Sequence, residues 1–312
     1  MRATWKAGGL LILLSLSSVL AQNAGGLRFQ RWSDPREGAF TLEVPVGWKI
    51  SGGTVRHYAG AGGVSEVVMT SPDGQVMVRL GDVNLPTTFL VPNQTMSSLG
   101  CNEGCRPSSS AVVLRYLSGQ NFAAYYVGQT MSQYCSSLGW TRKGNYPEYV
   151  RRQAQIMAQY GMPPFDGHTA GDVNYICKAN GGTWVGYLFA ETYAVNYQGT
   201  GTAWAVARLQ GYTATPERAA LADAVLVRAL ATMHTNPQWF KGEQDQAQRT
   251  VQMQLKYNAY TVDLMQQMHE FRLKAMDKWA CIRGRLLQGQ DPNFGQNNNG
   301  SFQYDPQCKT NP

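Results

Sequence analysis

Apolar and polar residues alternate in the first third of the chain, and this spacing predicts β-structure over residues 28–82. The alternation is clearest from Phe40 to Val44. Further on, two short valine-rich segments, 67–70 and 75–80, are separated by Ser71-Pro72-Asp73-Gly74. Pro at the second position and Gly at the fourth suit a type I turn. We therefore predict a β-hairpin centred on residues 71–74.

The centre of the chain alternates between regular patterns and stretches rich in Gly, Pro, Asn and Ser. Two such stretches, 83–110 and 162–174, predict loops. The regular patterns between and after them predict helices over 118–136 and 147–160, and strands over 183–195 and 202–212.

The last third of the chain has the spacing of helices. Thr215-Pro216 and Asn236-Pro237 are both typical helix starts, with a capping side chain followed by Pro. After the second start, a stripe of apolar and aromatic residues from Met253 to Leu286 repeats about every 3.7 residues, close to the 3.6 of a straight helix. We predict a long helical segment over 236–287, with possible self-association through 253–286, and an irregular tail over 288–312.

Residues 1–21 have the pattern of an export signal. Arg2 and Lys6 precede an apolar stretch that begins at Leu10 and ends at Leu20, and Val19-Leu20-Ala21 supplies small residues for cleavage. An uncleaved anchor helix is the alternative, although the apolar stretch is short. We expect a secreted or periplasmic protein that does not span the membrane after cleavage.

The six cysteines agree with export, because an even number in an oxidising compartment is typical of disulfides. They are Cys101, Cys105, Cys135, Cys177, Cys281 and Cys308. Cys281 is predicted to pair with Cys308, and Cys101 and Cys105 either close on each other or reach Cys135 and Cys177. A metal site at the C-x3-C pair is the competing interpretation, but no second close pair or nearby His completes it.

Composition excludes several classes of protein. With 43% hydrophobic and 11% aromatic residues, the 312-residue chain has too much apolar side chain for a disordered protein. The formal charge of +7 falls to +5 without Arg2 and Lys6, since 25 basic residues then face 20 acidic ones. This mild charge gives no reason to expect nucleic acid. Gly60 to Gly63 lacks the Lys-Ser/Thr and the helix of a phosphate loop, and we expect no cofactor and no metal.

One histidine is a candidate for catalysis. His168 lies close in sequence to Asp166 and Asp172, and a base oriented by a carboxylate is a common device in hydrolases. The alternative is a hydrophilic surface loop, which the surrounding residues favour. Whether the protein is an enzyme stays open, with a non-enzymatic role preferred.

A second candidate site is a basic cluster with interleaved tyrosines around the 147–160 helix. Its residues are Arg142, Lys143, Tyr146, Tyr149, Arg151 and Arg152. This composition suits binding of an anionic polymer. A solvated helix face would have the same composition.

Several motifs resemble the opening of a group of exported bacterial proteins without an assigned activity. They are WSDPREGAF at 32–40, VPVGW at 44–48, Gly52-Gly53, SPDG at 71–74 and Gly81-Asp82. The strand pair with its Val-Pro-x-Gly-Trp turn also resembles the PsbP-like α/β/α sandwich, over about residues 28–235. The resemblance implies an antiparallel sheet flanked by helices and a binding or assembly role, with no catalytic residues to carry over.

These observations predict an α+β protein made of a signal peptide (1–21), a sandwich domain (22–235), the long helical segment (236–287) and a disulfide-tethered tail (288–312). The expected function is non-enzymatic binding of an unknown protein or envelope polymer through aromatic loops and the long helix. An envelope-polymer hydrolase around His168 and a binder of anionic polymer are the alternatives.

Overall fold

The structure is a computed structural model that describes residues 26–56, 63–159, 161, 164–179, 181–197 and 201–241, and beyond them residues 263, 266, 267, 269 and 270. The strands are β1 (Phe29–Ser33), β2 (Phe40–Pro45), β3 (Lys49–Val55), β4 (Val64–Thr70), β5 (Val76–Leu80), β6 (Thr88–Leu90), β7 (Ala111–Val113), β8 (Ser137–Asn145), β9 (Asp166–Ala179), β10 (Gly182–Tyr197), β11 (Gly201–Ala214) and β12 (His234–Thr235). The helices are α1 (Gln94–Ser98), α2 (Gly119–Met131), α3 (Pro147–Gln159), α4 (Ala219–Ala231) and α5 (Pro237–Lys241).

Most strands form one large sheet whose order is β3-β4-β5-β11-β10-β9-β8. All neighbours along this path are antiparallel, whereas β6 joins β11 and pairs in parallel with β7. A small second sheet has the order β1-β2-β12. The predicted α+β class with mainly antiparallel pairing is confirmed.

Helices lie on both faces of the large sheet because its central strands are apolar on both sides. On β10, Leu188 belongs to one buried cluster with Phe122 of α2, whereas Phe189 belongs to the other with Leu226 of α4 and Tyr149 of α3. Successive side chains of a strand point to opposite faces. The sheet therefore separates an α2 layer from an α3/α4 layer.

The turn chemistry of the sequence predicts several elements correctly. The amide of Gly74 donates to the carbonyl of Ser71 at 2.9 Å, and β4 pairs with β5 across this turn, which confirms the hairpin. The helix expected from Pro147 is α3, and Gly161 follows its end with a φ of 70°. After Thr215, a short 3₁₀ turn leads into α4.

Three boundaries differ from the predictions. The expected loop 162–174 is wrong from Asp166 onwards, since that part is the first half of β9. The expected helix over 118–136 ends at Met131, and the stretch 83–110 contains β6 and α1. The polar residues of 162–174 indicated a solvent-exposed loop. In the structure Asp172 is buried, because residues of other elements pair with its carboxylate.

Two disulfides are formed among the described residues, Cys101–Cys105 and Cys135–Cys177, each with a Cα–Cα distance of 5.3 Å. They select one of the pairings that the sequence leaves open, and the Cys101–Cys105 bond rules out the competing interpretation of these two cysteines as metal ligands. The predicted Cys281–Cys308 pair lies outside the described residues.

The signal peptide, the tail 288–312 and most of the predicted long helix also lie outside the described residues. Within 236–287, the structure describes α5 and five residues between 263 and 270. No helix in the described part of the chain is both long and apolar enough to span a membrane.

Candidate functional site

A cleft of about 860 Å³ lies on the α2 side of the sheet. Its floor is formed by β4, β5, β11, β10 and β9, which are neighbours in the sheet. Met77, Trp184 and Leu188 are among the floor side chains, and the second half of α2 forms the wall. Pockets of about 300–1,000 Å³ are typical of small-ligand sites.

The cleft exists because α2 covers only part of this face. The helix packs on Val173 and Leu188 of β9 and β10. On β4 and β5, by contrast, the side chains that point to the α2 side, such as Thr70 and Met77, remain half-buried. The space between α2 and these strands is therefore open along one side.

The wall is a stripe of side chains at helical spacing. Ser118 caps α2 by accepting a hydrogen bond from the amide of Asn121, and Tyr126 and Thr130 follow four residues apart along the cleft. Tyr134, just beyond the helix, continues the stripe and is 65% exposed. The next residue, Cys135, is bonded to Cys177 in the floor. The disulfide thus ties the end of the wall to the sheet.

Tyr126 of the wall is hydrogen-bonded to an ion pair formed by Arg79 and Asp82. The Tyr126 hydroxyl donates to Oδ2 of Asp82 at 2.6 Å and accepts from Nη1 of Arg79 at 2.9 Å, and Arg79 also pairs with Asp82 at 2.9 Å. Burial and Asp82 raise the pKa of Tyr126, against the lowering effect of Arg79. The phenol stays protonated, and the positive charge of Arg79 is neutralised.

A second phenol is buried in the floor. Tyr175 forms a hydroxyl–hydroxyl hydrogen bond of 2.6 Å with Thr213, and burial raises the pKa of Tyr175 to about 12 although this bond lowers it. The ring lies over Gly186, where a Cβ would clash with it. Glycine at this position of β10 therefore lets the ring lie flat on the sheet.

On the opposite face, His168 belongs to a buried polar network. Nε2 of His168 lies 2.5 Å from Oε1 of Glu191, and Oε2 of Glu191 accepts from the Tyr149 hydroxyl at 3.0 Å and contacts Nε of Arg208 at 3.2 Å. The His168 side chain is 4% exposed and that of Glu191 is 0% exposed. The surface-loop interpretation of His168 is wrong, because the residue lies in β9 and its nearly buried side chain is bonded to Glu191 of β10.

The structure does not bring the three candidate catalytic residues together. Asp172 accepts from the Tyr146 hydroxyl at 2.6 Å and pairs with Arg142 at 3.3 Å, whereas Asp166 accepts from Asn196. His168 and Asp172 are four residues apart on one strand, a separation of ~13 Å. Each of the three therefore has its own partner.

The basic cluster is likewise divided. Tyr146 and Tyr149 point inward to carboxylates, so they are not stacking surfaces for a ligand, which corrects that prediction. Burial would lower the pKa of the Arg142 guanidinium, but Asp172 and Tyr146 raise it overall. Lys143 lies over the Trp140 ring on β8, while Arg151 pairs with Glu148 and Arg152 bonds Gln155 on the exposed side of α3.

The described residues hold no group of three or more His, Cys, Asp or Glu placed to bind a metal ion. The sequence predictions missed Glu191, Arg208 and the lining of the cleft. A signal for Glu191 existed, since a lone carboxylate follows Leu188-Phe189-Ala190 in a strand pattern and requires buried partners. The cleft had no such signal, because it joins five strands and a helix.

No family model matches this chain, and no curated protein matches it.

Proposed function

We propose that this chain is an exported, non-enzymatic binding protein whose ligand lies in the cleft beside α2. The observation that carries the proposal is the cleft itself, with its apolar floor and its aromatic, hydrogen-bonding wall. Disulfides of the kind formed here persist in oxidising compartments, which supports export, as does the leader pattern of residues 1–21.

The PsbP-like sandwich is part of this proposal. Its support is the antiparallel sheet with α2 on one face and α3 and α4 on the other. Fold alone does not imply function, so the ligand is argued from the cleft.

Both alternative functions have weaker support. A hydrolase would need His168 to reach a substrate, but its ring is enclosed and already bonded to Glu191. A binder of anionic polymer would draw on the basic cluster, but within it Arg142 is paired with Asp172 and Tyr149 is buried.

The contact role expected for the stripe from Met253 to Leu286 also remains a proposal. One described residue within that range, His269, bonds through Nδ1 to Oδ2 of Asp223 on α4. This contact favours a segment that lies against its own domain over one that is free for a partner.

The test of the cleft uses a neutral fluorescent hydrophobe, N-phenyl-1-naphthylamine, with the full-length protein. We expect saturable binding that Met77→Arg weakens about tenfold or more, because the substitution places an unpaired charge against an apolar floor. The matched control is Val46→Arg, an exposed apolar position outside the lining. Saturable binding that falls equally in the two variants would refute the proposal.

A further inference from the structure

The charge of the cleft lining limits the class of ligand. Among the described lining residues, Arg79 is the one that carries a charge. Asp82 lies 2.9 Å from its guanidinium and neutralises it, with the Tyr126 hydroxyl bonded to both. A ligand with a net charge would lose its hydration in the cleft without gaining a counter-charge. The lining therefore favours a neutral ligand.

The polar groups of the lining further limit the class of ligand that the cleft can bind. Gln129 and Gln133 line the cleft from α2 and the turn after it, and Thr70 and Thr130 add hydroxyls from the sheet and the helix. An amide offers both donors and an acceptor, and a hydroxyl does the same. A purely apolar ligand would offer these groups no hydrogen bonds and would cost free energy at each one that it desolvates. A ligand complementary to this lining carries many groups that both donate and accept hydrogen bonds.

Aromatic rings supply the remaining part of the surface. Trp184 is half-buried in the floor and Tyr134 is largely exposed at the end of the wall. The negative faces of such rings attract the slightly positive hydrogens of C–H groups. A pyranose ring combines a face of C–H groups with a rim of hydroxyls, which matches both the rings and the amides.

We infer that the cleft binds a neutral oligosaccharide, stacked on Trp184 and Tyr134 and hydrogen-bonded by the amides of Gln129 and Gln133. The inference rests on the proposed binding function and names its ligand class. An anionic sugar chain fits less well because the lining has no free cation among its described residues.

The experiment titrates full-length protein with cellohexaose and chitohexaose, and with a hexamer of galacturonic acid as the anionic counterpart, by calorimetry. At least one neutral hexamer is expected to bind at least tenfold more tightly than the anionic one. Trp184→Ala and Tyr134→Ala are each expected to weaken that binding about tenfold, and Gln133→Ala about threefold or more. The matched control is Trp140→Ala, a half-exposed tryptophan on β8 outside the lining, which leaves affinity unchanged.

The outcomes separate this inference from the proposed function. If N-phenyl-1-naphthylamine binds in a Met77-dependent way but no neutral hexamer binds or displaces it, the sugar inference fails and the binding function stands. If neither probe binds, both fail. Sugar binding that Trp140→Ala weakens as much as Trp184→Ala, or a preference for the anionic hexamer, would overturn the inference. Because Tyr134 is largely exposed, its variant tests the cleft even if Trp184→Ala does not fold.

Discussion

The carboxylate of Glu191 has three partners in the interior of this protein. It meets His168, the Tyr149 hydroxyl and Arg208, and none of its side-chain surface reaches solvent. Charges are rarely buried unless they are paired and hydrogen-bonded. The network therefore joins β9, β10, β11 and α3 as a structural unit, and it explains why a polar residue stands in an apolar strand.

Replacing this carboxylate tests whether the network is structural. Glu191→Gln is expected to lower the free energy of unfolding by about 3–5 kcal/mol, because it removes the buried negative charge that faces the largely buried Arg208. The same substitution at Glu148, whose ion pair with Arg151 is exposed, is expected to cost about 0–1 kcal/mol. Denaturant unfolding measures both. Active-site groups are often replaced with little loss or a gain of stability, so a neutral or stabilised Glu191→Gln would favour the hydrolase alternative.

At the scale of elements, α2 decides whether the protein has a cleft. One side of the helix is buried by Phe122, Ala123 and Val127, which hold it on β9 and β10. Its far end is fixed by the Cys135–Cys177 bond rather than by a longer helix. The helical spacing of α2 was visible in the sequence, but its end at Met131 was not, because residues 132–136 have no strong stop signal.

The two disulfides are expected to differ in what they stabilise. The double variant Cys135→Ala/Cys177→Ala removes a bond that spans 42 residues, and the chain-entropy model predicts a loss of about 4 kcal/mol in the free energy of unfolding. The double variant Cys101→Ala/Cys105→Ala removes a bond that spans four residues, for which the same model predicts a loss of about 2 kcal/mol. Unfolding under non-reducing conditions measures the difference. The first pair should also weaken N-phenyl-1-naphthylamine binding, since the wall loses its tie to the floor, and the second pair should not. Equal effects on probe binding would contradict this role.

At the scale of the whole molecule, one described residue well beyond α5 contacts the domain. His269 bonds to the buried Asp223 of α4 although 46 positions separate them in the chain. Sequence spacing predicted an amphipathic stripe here, but an apolar stripe does not name its partner. The Asp223 contact favours packing within the same chain.

A double-mutant cycle tests this contact. Asp223→Asn and His269→Ala are expected to show a coupling energy of about 0.5–3 kcal/mol in the free energy of unfolding, since they share one buried hydrogen bond. The control cycle joins Asp263 and Gln267, an exposed pair four residues apart, with an expected coupling below about 0.5 kcal/mol. Additive effects at Asp223 and His269 would leave the stripe available for self-association.

The sequence by itself determined the local features of the described chain. The hairpin at 71–74, the starts of α3 and α4, and the long β10–β11 pair follow from turn residues, capping residues and apolar alternation, which act over a few positions. The resemblance to an exported sandwich protein is compatible with the observed α+β fold, but membership in that group stays a prediction.

Only the tertiary structure decided which polar residues became interior and where a ligand fits. Asp166, His168 and Asp172 are neighbours in sequence, yet the register of β9 and the packing of α3 give each a different partner. Tyr146 and Tyr149 suggested a binding surface and instead donate to buried carboxylates. The cleft joins residues from five strands and one helix, and contacts between positions so far apart in the chain leave no mark in local spacing.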